Sequence, residues 1–230
     1  MEDLIDRNKL EEIYEKNRKC IIKSISGKIR EAEEYKRMTL GFSKAMKVVN
    51  AAEISPEHIV MNIFGGAGGL LRLLGLKNPR LLIAVDKLYP GGLKPVSDWY
   101  YDTDSIFNSW VDDIKQLSQD IQIRRPVLCQ YDILEFIPAF VNVFDRIIID
   151  PPYGLVSEEA LHMNETESRK VFIASIGSSL NYLTEKGKII SIIPSKWMEC
   201  LNMQFKQIKT EILEEINGKY NFVIIQIVKL

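Results

Sequence analysis

Between residues 147 and 154 the chain reads Ile147-Ile148-Ile149-Asp150-Pro151-Pro152-Tyr153-Gly154. Three consecutive β-branched apolar residues suit a strand buried on both faces of a sheet. Two prolines then end it, because proline has no N–H to donate to the next ladder bond. The residue before a proline is pushed to extended geometry, so Asp150 is held at the strand tip in a narrow range of φ and ψ. In open α/β sheets, ligands bind at this end of the strands. The Asp150 carboxylate and the Pro151 carbonyl can accept the two N–H bonds of a planar amino group. Tyr153 offers a ring on which a flat base can stack, worth roughly 1–3 kcal/mol per base.

Three other apolar runs end in chemically useful groups. His58-Ile-Val-Met-Asn-Ile-Phe64 precedes Gly65-Gly66-Ala67-Gly68-Gly69 and then Leu70-Leu-Arg-Leu-Leu74. That is strand, glycine loop, helix, with backbone free to approach a ligand before a helix N-terminus. The third glycine of a dinucleotide fingerprint is missing, which disfavours a Rossmann dehydrogenase. Leu81-Leu-Ile-Ala-Val-Asp86 ends in an acid 24 positions after Asn62. An acid about 20 residues on is where nucleotide-binding sheets meet a ribose diol. Val127-Leu-Cys-Gln-Tyr-Asp132 ends in a third acid.

The remainder supplies the frame. Helix 165–183 is followed by a stop at Lys186-Gly187. A strand Lys188–Pro194 comes next, then a short helix near 197–205. Two apolar strands around Asn217-Gly218 read as a hairpin. Segment 88–125 is long for a connection. It carries a Pro/Gly-rich turn, Trp99-Tyr100-Tyr101 and a helix capped by Asp104. The aromatics of this segment fit core packing, a substrate-pocket wall or an oligomer contact.

Residues 1–55 read as a helical arm. Ile13, Ile21, Ile25 and Ile29 form one apolar stripe, and a second helix spans roughly 40–52. Residues 16–47 hold ten basic side chains against three acids, an excess of +7 in a chain of net charge −1. This fits either a solvated face or a phosphate-contacting arm. The 230 residues suffice for one domain with a sizeable core. Cys20, Cys129 and Cys200 have no metal-ligand spacing and fit a reducing cytosol. No metal is expected, no apolar run approaches a membrane span, and His58 and His162 take no functional role.

Asp150-Pro151-Pro152-Tyr153 resembles motif IV of the S-adenosylmethionine-dependent amino-methyltransferases. Asn62, Phe64, Gly66 and Gly68 resemble their motif I, with Asn62 where the family often has an acid. The resemblance covers about residues 58–230 and rests on four strand ends in the correct order. It implies an α/β, Rossmann-like seven-stranded methyltransferase sheet, order 3-2-1-4-5-7-6, last strand antiparallel, over residues 56–230 behind the arm 1–55. It also implies the cofactor S-adenosyl-L-methionine. Asn62, Phe64, Gly66 and Gly68 would lie beside its methionine end, Asp86 at the ribose and Asp132 at the adenine. Asp150, Pro151, Pro152 and Tyr153 would form the catalytic group. The implied substrate is an exocyclic amino nitrogen of a nucleic-acid base, RNA favoured. The alternatives are a DNA adenine-N6 or cytosine-N4 methyltransferase and a non-catalytic, cofactor-binding subunit of a larger methylase.

Overall fold

Apolar runs broken by glycine and proline build strand–helix units along the chain. In chain order these are α1 (Arg7–Lys16), β1 (Ile21–Ser24), β2 (Ile29–Glu31), α2 (Phe42–Ala51), β3 (Ile59–Ile63), α3 (Gly69–Leu76), β4 (Leu81–Asp86), β5 (Trp99–Tyr101) and α4 (Thr103–Leu117). There follow β6 (Val127–Gln130), β7 (Phe144–Ile149), α5 (Glu165–Tyr182), β8 (Leu183–Pro194), α6 (Met198–Gln204), β9 (Ile208–Ile216) and β10 (Phe222–Lys229). The computed structural model describes residues 5–18, 21–24, 26, 28–31, 40–87, 89, 99–151, 164–218 and 221–230.

The main sheet has the order β6-β4-β3-β7-β8-β10-β9. Its first five strands run parallel, and β10 runs antiparallel to both neighbours. Counted along the chain within this sheet, that is the expected 3-2-1-4-5-7-6. The triple isoleucine of β7 is fully buried because its side chains alternate between two cores. Ile148 packs on the side of α2, α3 and α4, while Ile147 and Ile149 pack on the side of α5 and α6. Each fully buried side chain of this size contributes about 1.5–3 kcal/mol.

Three local expectations change. The isoleucine stripe is not one helix face. Helix α1 stops at Lys16, where Asn17 Nδ2 donates to the Ile13 carbonyl at 2.9 Å and to Asp113 Oδ2 at 2.7 Å. Ile21–Ser24 and Ile29–Glu31 are instead paired antiparallel strands, and Ile25 lies outside the described residues. β-Branched residues resist helix, and the strand partner β5 lies far along the chain, out of sight of any local pattern. Next, α5 passes directly into β8, so Lys186-Gly187 lies inside the strand. The β7–β8 register shifts there, and a Cβ on Gly187 would stand 2.8 Å from the Phe144 carbonyl oxygen. Finally, Asp102 rather than Asp104 precedes α4. The expected helix near 40–52 and the hairpin are present, with residues 217–221 joining β9 to β10.

Among the described residues, no helix is long and apolar enough to cross a membrane, and no cluster of side chains could hold a metal.

Candidate active site at the strand tips

Strand register sets the geometry. Ile63 at the end of β3 pairs with Val85 on one side and Ile149 on the other. Asp86 and Asp150 each follow those partners by one residue. The two carboxylates therefore flank the glycine loop, two strand spacings or about 10 Å apart. Asp132 lies beyond Gln130, which pairs with Asp86. The tips run Asp132, Asp86, glycine loop, Asp150 across the sheet.

The loop after β3 needs left-handed backbone at three positions. Phe64 has φ 59°, Gly66 φ 49° and Gly68 φ 82°. Glycine adopts this freely, but Phe64 does so at a cost of about 1–3 kcal/mol, a kind of strain that clusters at functional sites. Asp86 Oδ2 accepts from Gly66 N at 3.0 Å, and Thr103 Oγ1 donates to the Gly66 carbonyl at 2.9 Å. A Cβ on Gly65 would overlap the Tyr89 hydroxyl. Tyr89 is fully buried, which raises its phenol well above the ordinary range, and the nearby Asp86 adds to the rise.

Asn62 sits under this loop at 1% exposure. Its Nδ2 donates to the carbonyls of Ile148, at 3.2 Å, and Ile63, at 3.4 Å. Its Oδ1 is buried without a partner among the described residues. Two carbonyls facing one side chain call for a donor, and asparagine supplies it where a carboxylate would be repelled.

At the tip of β7, Asp150 is partly exposed and Pro151 is buried. Ser191 on β8 is fully buried and donates to the Ile149 carbonyl at 2.8 Å, which fixes the backbone just before Asp150. Sequence reasoning passed over Ser191. Its signal was a single hydroxyl inside the apolar run 189–193. Burial pushes the Tyr14 hydroxyl of α1 up to about 12, against the lowering influence of Arg72, and the charge of Asp150 adds to the rise. Pro152 and Tyr153 lie outside the described residues.

Asp132 is exposed two residues past β6, where its Oδ1 accepts from Leu134 N at 3.0 Å. His58 Nδ1 accepts from Ser55 N at 3.1 Å, a local turn contact. Several arm cations have partners within the chain. Lys16 pairs with Asp113 at 2.9 Å and Arg18 with Glu15 at 3.1 Å, while Lys47 pairs with Glu214. Lys19, Lys36 and Arg37 lie outside the described residues.

No protein-family model and no curated protein matches the chain. Solved structures do match its fold. TrmN from Thermus thermophilus is 18% identical over 81% of this chain and 48% of its own, with a TM-score of 0.51. NSun6 from Pyrococcus horikoshii, solved with SFG, is 17% identical over 80% of this chain and 51% of its own, with a TM-score of 0.52. PH0851 is 13% identical over 98% of this chain and 57% of its own, with a TM-score of 0.55. The chain spans about half the length of TrmN and of NSun6. The strand order and these likenesses define a class I methyltransferase fold.

Proposed function

We propose that the chain is an S-adenosylmethionine-dependent methyltransferase acting on an exocyclic amino nitrogen of a nucleic-acid base, with RNA as the favoured substrate. The observation that carries this reading is the pair of carboxylates, Asp86 and Asp150, set one residue past the partners of Ile63 on either side of a strained glycine loop.

The described residues fit the cofactor. Asn62 Oδ1 is an acceptor in need of a donor and suits an ammonium group. Phe64, Gly66 and Gly68 would shape the loop at the methionine end, Asp86 would hold the ribose and Asp132 the adenine. When bound, the cofactor supplies an electrophilic methyl group on a positively charged sulfonium. The chain's own task is positioning and electrostatics.

Asp150 and the Pro151 carbonyl would accept the two N–H bonds of the target amine, with Pro152 stiffening the turn and Tyr153 stacked on the base. The lone pair of an aromatic amine is delocalised. Two accepted hydrogen bonds draw the nitrogen toward tetrahedral geometry and release that pair for attack. A paired base must first leave its stack. RNA is favoured by the resemblance of the core, with its arm and 88–125 connection, to compact RNA methylases.

The test is tritiated methyl transfer to total RNA and to genomic DNA, with the modified nucleoside identified. Transfer should go to an amino-methylated nucleoside of RNA. Asp150→Ala should abolish it while cofactor affinity by calorimetry stays near wild type. Unchanged turnover in that variant would remove Asp150 from the reaction.

A further inference from the structure

Helices α5 and α6 flank an open groove of about 490 Å³. Its floor is apolar, with Ile173 and Gly177 from α5 and Phe205 just past α6. Gln204 adds an amide to the wall, and Arg169 and Lys170 line the end nearest the start of α5. The volume lies within the range of small-ligand clefts, roughly 300–1,000 Å³.

Glycine inside a helix is weaker than alanine, so a mid-helix glycine calls for a reason. Packing supplies one at Gly75 and Gly187, where a Cβ would stand 2.7 Å from the Arg124 carbonyl oxygen and 2.8 Å from the Phe144 carbonyl oxygen. Packing supplies none at Gly177. Among the described residues, a Cβ there would meet two atoms of the Phe205 ring, both at 3.8 Å, which is ordinary contact. What the glycine provides is open space beside the ring.

The cations of the groove are not spent within the chain. Among the described residues, neither Arg169 nor Lys170 forms an ion pair. Glu165, one helical turn before Arg169, is held by Lys196 at 2.6 Å and by the Trp197 indole N–H at 3.2 Å. Its carboxyl lies below the usual range chiefly through the Lys196 bond, with a smaller contribution from the Arg169 charge. Lys196 and Trp197 follow β8 directly, so these contacts fix the start of α5 at the level of the strand tips. Arg169 is four residues further on, about 6 Å along the helix. The charged end of the groove is thus next to the tips, and the apolar floor runs away from them.

Two cations above an apolar floor match the two demands of a nucleotide in an unpaired strand. Its phosphates need positive charge, and its open base needs an apolar or aromatic surface. An apolar peptide segment would leave both cations unused. We propose that the α5–α6 groove holds a nucleotide of single-stranded RNA flanking the target base, with the phosphates on either side of it at Arg169 and Lys170 and its base against the Phe205 ring. This role rests on the reading of the tips as a methyltransferase site for an RNA base.

The probe is a fluorescein-labelled single-stranded RNA of mixed sequence, about 12 nucleotides long. Its binding to the full chain is followed by anisotropy at two salt concentrations. Arg169→Gln combined with Lys170→Gln should weaken binding and flatten the logarithmic salt slope by about 1.4, the loss of two phosphate contacts on a single strand. Gly177→Leu should fill the floor and weaken binding roughly tenfold, the loss of one stacked base. Leucine is the better helix former, so this variant should unfold no earlier than wild type. Lys186→Gln, exposed at the opposite end of β8, should leave affinity and slope unchanged. Cys200 lines the groove half-buried, so saturating RNA should slow its alkylation by a maleimide, read by mass spectrometry of its peptide. Calorimetry with S-adenosylmethionine runs in parallel on every variant. Weaker RNA binding in both groove variants, with cofactor affinity and thermal stability intact, supports the site. Wild-type RNA affinity in both variants, or an unchanged rate of Cys200 alkylation, overturns it. Equal or tighter binding of DNA of the same sequence overturns RNA as the occupant. A dimer in sedimentation that Gly177→Leu dissociates while RNA binding stays intact overturns it in favour of a second copy of the chain. Absence of cofactor binding in the wild type would sink the methyltransferase reading instead, while anisotropy and alkylation would still decide the groove.

Discussion

Asn62→Asp places an acid under the glycine loop and should damage the apo protein. The site is 1% exposed, and the side chain faces the carbonyls of Ile148 and Ile63 as a donor. An ionised carboxylate there would be desolvated and set against two carbonyl oxygens, so the folded state favours the protonated form. An unfolded aspartate titrates near about 3.9. With the folded pKa raised, the native state binds more protons than the unfolded one. Stability is then least affected below about 3.9 and falls by roughly 1.4 kcal/mol per pH unit above it, until the folded pKa is reached. If the carboxyl stays protonated at neutral pH, the cost at pH 7 is about 4 kcal/mol, against a total stability of about 5–15 kcal/mol. Near pH 4 the variant exchanges two long amide bonds for one O–H donor, a loss of about 1 kcal/mol. Urea unfolding of variant and wild type at pH 5 and pH 7 reads the difference, which should widen by about 2–3 kcal/mol between the two. Saturating S-adenosylmethionine should narrow the gap at pH 7, because an ammonium would pair with the carboxylate. A variant as stable as wild type at pH 7 without ligand would show that Asn62 is not a buried donor.

Three further outcomes follow from individual contacts. Gly65→Ala should cost about 1–3 kcal/mol through overlap with the Tyr89 hydroxyl, and adding Tyr89→Phe should recover most of it; a thermal-denaturation double-mutant cycle with no coupling would refute that contact. Ser191→Ala removes the donor to the Ile149 carbonyl, so it should cost about 1 kcal/mol in urea and lower turnover more than cofactor affinity. Burial pushes the Asp113 carboxyl up, but bonds from Asn17 and Lys16 outweigh it and hold it below its ordinary 3.8. Its contribution is thus present above that value and lost as pH falls through the lower folded pKa. Asp113→Asn should leave a smaller stability difference from wild type in strong acid than at pH 7.

Much of the main sheet was legible in the sequence for a physical reason. Strands buried on both faces must be continuously apolar, as in Ile147-Ile148-Ile149, and what ends them must be polar or conformationally special, as in Asp86, Asp150 and the glycine run. Those signals are local, so the strand tips and their order along the chain could be read directly. The isoleucines at 21, 22 and 29 defeated that reading. Their spacing fits a helix face as well as two strands, and only pairing with Tyr101 and its neighbours, distant in sequence, decides between them. The Asn62 side chain shows the same division. Its place beside the glycine loop was evident from the motif, but its orientation was not. The Ile148 carbonyl of a neighbouring strand sets that orientation, a contact that exists only once the sheet is assembled. Sequence determined which residues reach the tips, because periodicity and strand ends are properties of short stretches. Tertiary structure decided which side of each residue is used, because hydrogen-bond partners arrive from strands far apart in the chain.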